Sequence, residues 1–141
     1  MTSLENAIEK SIDIHAPVSA VYDQWGRFEE FPKFMEGVDT VERIDEKRLH
    51  WHATIEGLET DWVSEITEQT PDTRITWTSA GSAVHTGMVS FATIYQGTRV
   101  TLQMSHDPTL PANRRDALAQ RTARNLERFK AHIEAAGHAA P

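Results

Sequence analysis

The stretch from Ala112 to Ala136 constrains the fold most, because its apolar residues fit one face of a long helix. At about 100° per residue, five side chains share an arc of about 80°; they are Leu118, Thr122, Leu126, Phe129 and Ile133. Charged residues lie off this arc, which is typical of a helix with one face on a core. Pro111 suits the first turn, and Gly137 is a stop signal. A helix of about 25 residues is roughly 38 Å long, so it needs a large surface to pack against.

The preceding residues predict that partner to be one antiparallel sheet. Ile8–Ile14 alternates apolar and polar residues like a strand, and helical spacing follows from Val18 to Trp25 and from Phe28 to Met35. Six further segments of period two are separated by turn residues; they are 38–44, 48–56, 59–68, 75–79, 85–95 and 99–106. The expected fold is α+β, with about seven strongly curved strands around the C-terminal helix, in the order β-α-α-β6-α.

Length and composition predict a single domain over residues 1–141, long enough to bury a real core. The chain has no cysteine, so disulfides and thiolate metal sites are excluded. Its start has no apolar segment for export, and no run approaches 18 apolar residues. We therefore expect a cytoplasmic protein without stable membrane insertion.

The charge distribution argues against nucleic acid as a partner. The net charge is −7, with six Lys or Arg against three Asp or Glu in residues 112–141 and eight against eighteen before them. An acidic body with a basic helix fits a solvated helix face that complements the sheet. Nucleic-acid binding requires a basic footprint instead.

The inner faces of the expected strands combine large aromatic and small polar residues. Trp51, Trp62 and Trp77 are expected to point inward from consecutive strands, and Ser64 and Ser79 share those faces. A mostly apolar lining with a few hydroxyl groups is typical of a ligand pocket. The alternative is that the aromatic side chains fill a solid core with locally satisfied hydroxyls.

Arg115 falls on the apolar arc in the first turn of the long helix, where it could anchor a ligand carboxylate or enolate or extend to solvent. The aromatic stretch 31–35 could form a lip that admits a ligand. The candidate ligand-binding residues are Phe31, Phe34, Met35, Trp51, Ile55, Trp62, Ser64, Trp77, Ser79, Val89, Phe91, Leu102, Met104, Arg115, Leu118 and Thr122.

Other polar residues indicate neither a metal site nor a cofactor. His50 and His52 lie on the outer strand face, without an evident third ligand. His85 and His106, near strand ends, could act as general acids or bases or simply be solvated. The carboxylates of the fourth strand have outward parity, which argues against a carboxylate pair in the pocket; they are Asp61, Glu65 and Glu68.

Several short runs occur in the order and spacing of one known family. They include Ile12–Pro17, Val21-Tyr22, Phe31-Pro32, Phe34-Met35, Ile75–Trp77, Gly87–Phe91, Thr98–Thr101 and Phe129-Lys130. Over roughly residues 8–133 the chain resembles the polyketide cyclase/dehydrase and lipid transport branch of the START and birch-pollen-allergen (SRPBCC) superfamily. The resemblance implies a helix-grip fold with a hydrophobic cavity between sheet and helix. It also implies a lipid, quinone, hormone or polyketide ligand, and it assigns no catalytic residue.

Two functions of different class follow. One is a carrier or sensor that shields a small hydrophobic molecule. The other is an aromatase/cyclase that holds a poly-β-carbonyl chain for aldol closure, with Arg115, a hydroxyl or a histidine polarising a carbonyl. A module that binds a partner protein through its sheet is a third reading, and the sequence does not indicate an oligomeric state.

Overall fold

The computed structural model describes residues 7–55, 57–80, 84–106, 109 and 111–135, without the side chains at positions 55, 80, 84, 85 and 106. Strand β1 is followed by helix α1, a 3₁₀ helix, six further strands and helix α2, in the predicted order. Their bounds are β1 Ala7–Ile14, α1 Val18–Trp25, the 3₁₀ helix Phe28–Lys33, β2 Val38–Arg43, β3 Arg48–Ile55, β4 Leu58–Thr70, β5 Arg74–Ala80, β6 Val84–Ile94, β7 Gly97–His106 and α2 Ala112–Ala135.

The seven strands form one antiparallel sheet in the order β1-β7-β6-β5-β4-β3-β2. The first strand pairs with the last, from Ala7 opposite Ser105 to Ile14 opposite Thr98, while the other pairs are consecutive in the chain. Register shifts in β2, β4 and β6 bend the sheet, because a bulge increases local twist. The predicted curved sheet is confirmed.

Hairpin turns occur where the sequence predicted them. Gly57, Asp72 and Gln96 have φ values of 82°, 61° and 62°, the left-handed conformation that tight hairpin turns require. Strand β6 ends at Ile94, one residue before the end of the alternating segment 85–95. Val89 and Phe91 are buried, whereas Tyr95 on the same face is 89% exposed, because it lies beyond the strand in the turn to β7.

Helix α2 packs on the concave face of the sheet through the predicted stripe. Leu126, Phe129 and Ile133 are at most 2% exposed. The ring of Phe129 lies 4.9 Å from that of Trp25 and 5.1 Å from that of Phe34. These contacts close the core around the C-terminal half of α2. The expected helix end at Gly137 lies outside the described residues.

Polar contacts fix the same half of α2 to the end of β1. Lys130 Nζ donates to the carbonyl oxygen of Asp13 at 3.0 Å. The backbone N–H of His15 donates to Glu134 Oε2 at 3.1 Å, and Lys130 and Glu134 are paired at 2.6 Å. The C-terminal half of α2 is therefore anchored, and its N-terminal half extends over the remaining part of the sheet.

Candidate ligand-binding cavity

An open cavity of about 390 Å³ lies between the sheet and the N-terminal half of α2. Its volume is within the range of small-molecule sites. Leu58 lines the cavity and is 68% exposed, so β4 begins at the cavity mouth. The lining consists of Trp25, Phe28, Phe31, Met35, Glu36, Val38, Leu49, Trp51, Leu58, Thr60, Trp62, Ser64, Ile66, Ile75, Trp77, Ser79, Leu102, Met104, Arg114, Leu118, Arg121, Thr122, Asn125 and Leu126.

Three tryptophans form what we call the aromatic wall: Trp51, Trp62 and Trp77. Trp51 and Trp62 are register partners on β3 and β4, and their rings stack with centroids 5.7 Å apart and planes 8° apart. The indole N–H of Trp51 donates to Ser64 Oγ at 2.8 Å, which orients its ring. Phe31 meets Trp51 at 5.6 Å in an edge arrangement. The sheet side of the cavity thus presents large, positioned π surfaces.

Trp77 follows on β5, opposite Gly87 of β6. Its indole lies against the bare Cα of this glycine, a position that a side chain at residue 87 would occupy. Ser79, two residues further along the strand, has no hydrogen-bond partner for its hydroxyl within the part of the chain that the structure describes. This hydroxyl can therefore bind a polar group of a ligand.

Helix α2 supplies the opposite wall. The hydroxyl of Thr122 donates to the carbonyl oxygen of Leu118 at 2.8 Å, so this donor is used within the helix. Arg114, Arg121 and Asn125 also line the cavity. Together with Leu118 they fall within an arc of about 60° at 100° per residue. We call these four residues the cavity-facing arc of α2; it is offset to one side of the apolar stripe.

Glu36 lies at the mouth, between the 3₁₀ helix and β2. Its backbone N–H donates to Asn125 Oδ1 at 2.8 Å. Its carboxylate accepts from Arg124 Nε at 2.9 Å, and this hydrogen bond is the main reason that the pKa of Glu36 is lowered. Two contacts from α2 therefore hold this edge of the mouth.

The structure brings most of the predicted site residues together around the cavity; those on its lining are Phe31, Met35, Trp51, Trp62, Ser64, Trp77, Ser79, Leu102, Met104, Leu118 and Thr122. Their binding of a ligand stays a prediction. The side chain of Ile55 lies outside the described residues.

Four predicted residues are not on this lining. Phe34 packs against Phe129 and His132, at 5.1 and 5.3 Å, inside the core. Phe91 contacts Tyr22 of α1 at 5.6 Å, and Val89 on the same strand is fully buried. Arg115 is exposed and does not line the cavity, whereas its neighbour Arg114 does.

Arg114, Arg121 and Asn125 were not predicted as site residues. The charged residues off the apolar stripe were expected to face solvent, and Asn125 was not considered. A signal was present: with Leu118, these residues recur at spacings of four, three and four, like the stripe itself. Leu58 and Thr60 at the mouth were also not predicted. Leu58 was assigned to the turn before β4, and Thr60 was not selected although it has the inward parity of Trp62.

The carboxylates of β4 and the imidazole of His52 are not on the cavity lining. Asp61 and Glu65 are exposed as predicted, and Glu68 pairs with Arg74 at 3.0 Å. His52, on the outer face of β3, lies between Asp39, Glu59 and Asp61. The hydrogen bond to Asp61 is the main cause of its raised pKa. No three His, Cys, Asp or Glu side chains among the described residues are arranged so that they could hold a metal ion. The side chains of His85 and His106 lie outside them.

Residues 14–131 match the family described as polyketide cyclase / dehydrase and lipid transport. The chain belongs to this family. The resemblance drawn from the short sequence runs is thereby confirmed, as is the helix-grip fold, since START-superfamily proteins share this architecture.

One relative and two solved structures are similar to this chain over most of its length. An uncharacterized 17.2 kDa protein of Streptomyces lincolnensis is 38% identical over 136 residues, which cover 92% of this chain and 91% of that protein. A START superfamily protein from Mycobacterium smegmatis has a TM-score of 0.79 at 13% identity, covering 91% of this chain and 97% of that one. The Zhui aromatase/cyclase from Streptomyces sp. R1128 has a TM-score of 0.78 at 14% identity, covering 91% and 93%.

The described helices include none with the length and apolar character needed to cross a membrane.

Proposed function

We propose that this protein binds a small hydrophobic molecule with a flat ring system, such as a quinone or a polyketide-like compound, in the cavity between sheet and α2. The observation that carries the proposal is the 390 Å³ cavity bounded by the stacked rings of Trp51 and Trp62. A planar guest gains π contacts at this wall in addition to burial of its apolar area.

The energetics favour such a guest. Burying about 200 Å² of apolar ring area contributes on the order of 5 kcal/mol. Ordering and lost translational freedom oppose binding, but the aromatic wall is already held in place by the hydrogen bond from Trp51 to Ser64. The Ser79 hydroxyl can orient a carbonyl or hydroxyl group of the guest.

The test is a titration with N-phenyl-1-naphthylamine, a neutral aromatic probe that fluoresces in apolar surroundings. We expect a saturable increase in probe emission and a simultaneous change in tryptophan emission. Mass spectrometry of the protein purified under native conditions should show a co-purifying aromatic or prenylated compound. Failure of the neutral probe to saturate would contradict the proposed function.

Aromatase/cyclase activity is a second candidate. The family description and the fold shared with the Zhui aromatase/cyclase favour it. The cavity would hold a poly-β-carbonyl chain for intramolecular aldol closure, and a cavity guanidinium would stabilise charge that develops on the carbonyl oxygen. Incubation with a poly-β-carbonyl thioester distinguishes the functions: an enzyme yields a cyclised product with loss of water, whereas a carrier returns the chain unchanged.

A further inference from the structure

Among the residues that the structure describes, those on the cavity lining carry a charge opposite in sign to the net charge of the protein. The net charge of the chain is −7, yet the charged residues on the described lining are two arginines, Arg114 and Arg121, and one acid, Glu36. Both arginines belong to the cavity-facing arc of α2. Positive groups bordering an apolar cavity favour an anion there, because low-dielectric walls weaken screening.

The single acid does not cancel this charge, because a residue outside the lining already pairs with it. Glu36 accepts a hydrogen bond from Arg124 Nε at 2.9 Å, and Arg124 is exposed and not on the lining. Arg124 is the first cause of the lowered Glu36 pKa, and Arg121 contributes only a smaller coulombic part. Glu36 therefore pairs chiefly with Arg124 and not with the two arginines of the cavity-facing arc.

The groups of this arc can donate hydrogen bonds to an oxyanion. Asn125 Oδ1 accepts a hydrogen bond from the backbone N–H of Glu36 at 2.8 Å. The side-chain NH₂ group of Asn125 is the part of the amide that can donate to a ligand oxygen. Arg114 and Arg121 each have an interaction within the protein. A guanidinium carries five N–H donors in a planar fork, so it can keep one partner and bind a ligand oxygen as well.

The two arginines occupy different depths. Arg114 is exposed at the start of α2, whereas Arg121, two turns further on, is half-buried. An anion near Arg121 is shielded from solvent more than one at the mouth. The opposite side of the cavity is the aromatic wall. The cavity is thus polarised, with ring-binding surface on the sheet and positive charge on the helix.

We propose that the natural ligand is amphipathic, with a flat apolar body on the aromatic wall and an acidic oxygen group, a carboxylate or an enolate, bound by Arg121 and Arg114. This proposal rests on the proposed function, which requires only the apolar body. It narrows the ligand class to organic acids and enolisable compounds with a ring system.

A matched pair of fluorescent probes tests the proposal. 8-Anilinonaphthalene-1-sulfonate and N-phenyl-1-naphthylamine share one aromatic skeleton, and only the first carries an anionic group. We expect the wild type to bind the sulfonate at least tenfold more tightly than the neutral probe. The double variant Arg114→Gln/Arg121→Gln should lose at least tenfold in sulfonate affinity and keep its affinity for the neutral probe within twofold.

The control is the double variant Arg115→Gln/Arg128→Gln, which removes the same two charges from exposed positions of α2 off the cavity lining. It should change the affinity for either probe by less than twofold. The anion proposal would be overturned if the wild type bound the two probes with equal affinity, or if both double variants lost sulfonate binding equally. Saturable binding of the neutral probe would still support the proposed function. If neither probe saturates the wild type, the proposed function itself fails.

Discussion

A Cβ atom placed on Gly87 would lie 2.2 Å from Cζ2 of Trp77, the residue paired with it on the neighbouring strand. Since real Cβ atoms do not approach other atoms so closely, the indole occupies the place of the missing side chain. The glycine is required for space, and its effect is to let Trp77 lie close to the sheet. The position of the Trp77 ring beside the cavity therefore depends on the absence of a side chain at residue 87.

We therefore expect Gly87→Ala to push the Trp77 ring toward the cavity. Affinity for N-phenyl-1-naphthylamine should fall at least tenfold, and tryptophan emission should shift. The free energy of unfolding should decrease by about 1–3 kcal/mol, as for other overpacked sites. Probe titration and urea unfolding measure the two effects.

Gly26→Ala is the matched control, because a Cβ there would lie 3.6 Å from its nearest neighbours, an ordinary contact. Its stability should stay within about 0.5 kcal/mol of the wild type. A Gly87→Ala protein with unchanged probe affinity would show that Trp77 does not limit the cavity.

Thr122→Leu should partly fill the cavity from the helix side. Thr122 is 4% exposed and lines the cavity, so a larger apolar side chain enters open space. Probe binding should weaken while the free energy of unfolding stays within about 1 kcal/mol or rises. Thr122→Val, which keeps the volume but removes the hydroxyl that donates to Leu118, should retain probe affinity. A loss of about 1–3 kcal/mol in Thr122→Leu would instead indicate a filled interior.

Phe129→Ala should destabilise the fold by about 3–5 kcal/mol, because it removes a fully buried ring from the contact between α2 and the rest of the core. Thermal unfolding measures the change. Tyr95→Ala is the comparison, since that ring is 89% exposed in the turn between β6 and β7; it should cost less than about 0.5 kcal/mol. Similar melting temperatures for the two variants would count against the packing of α2 described above.

The raised pKa of His52 makes one contribution to stability depend on pH. Asp61 raises it most, followed by the charges of Asp39 and Glu59, so the folded protein binds the imidazole proton more tightly than the unfolded chain does. This contribution is complete below the ordinary pKa of 6.5 and is lost as pH rises through the folded pKa. His52→Gln should therefore lower the melting temperature more at about pH 6 than at about pH 9.

An NMR titration of the His52 ring provides a direct measurement. Its midpoint should lie above 6.5 in the wild type and move down in Asp61→Asn, which removes the first cause of the shift. A destabilisation by His52→Gln that is the same at both pH values would contradict the ion-pair explanation.

The sequence by itself determined the elements and their sidedness. Alternation on β3 and β4 placed Trp51, Trp62 and Ser64 inward, and the stripe on α2 placed Phe129 and Ile133 on the sheet. These predictions succeeded because backbone geometry alone sets which side chains share a face of a strand or helix. Short-range patterns carry that information without knowledge of any partner.

Only the tertiary structure decided which inward residues meet other side chains and which border open space. Phe91 and Trp77 both point inward from neighbouring strands, but Tyr22 and Trp25 of α1 cover Phe91, with centroids at 5.6 and 6.4 Å, and Trp77 borders the cavity. The same holds on α2. The anchored C-terminal half sets how the helix lies, and its other half then turns Arg114 and Arg121, and not Arg115, toward the cavity. Whether an inward side chain meets another element depends on how elements distant in the sequence pack together. The periodicity of a single strand or helix does not contain that information.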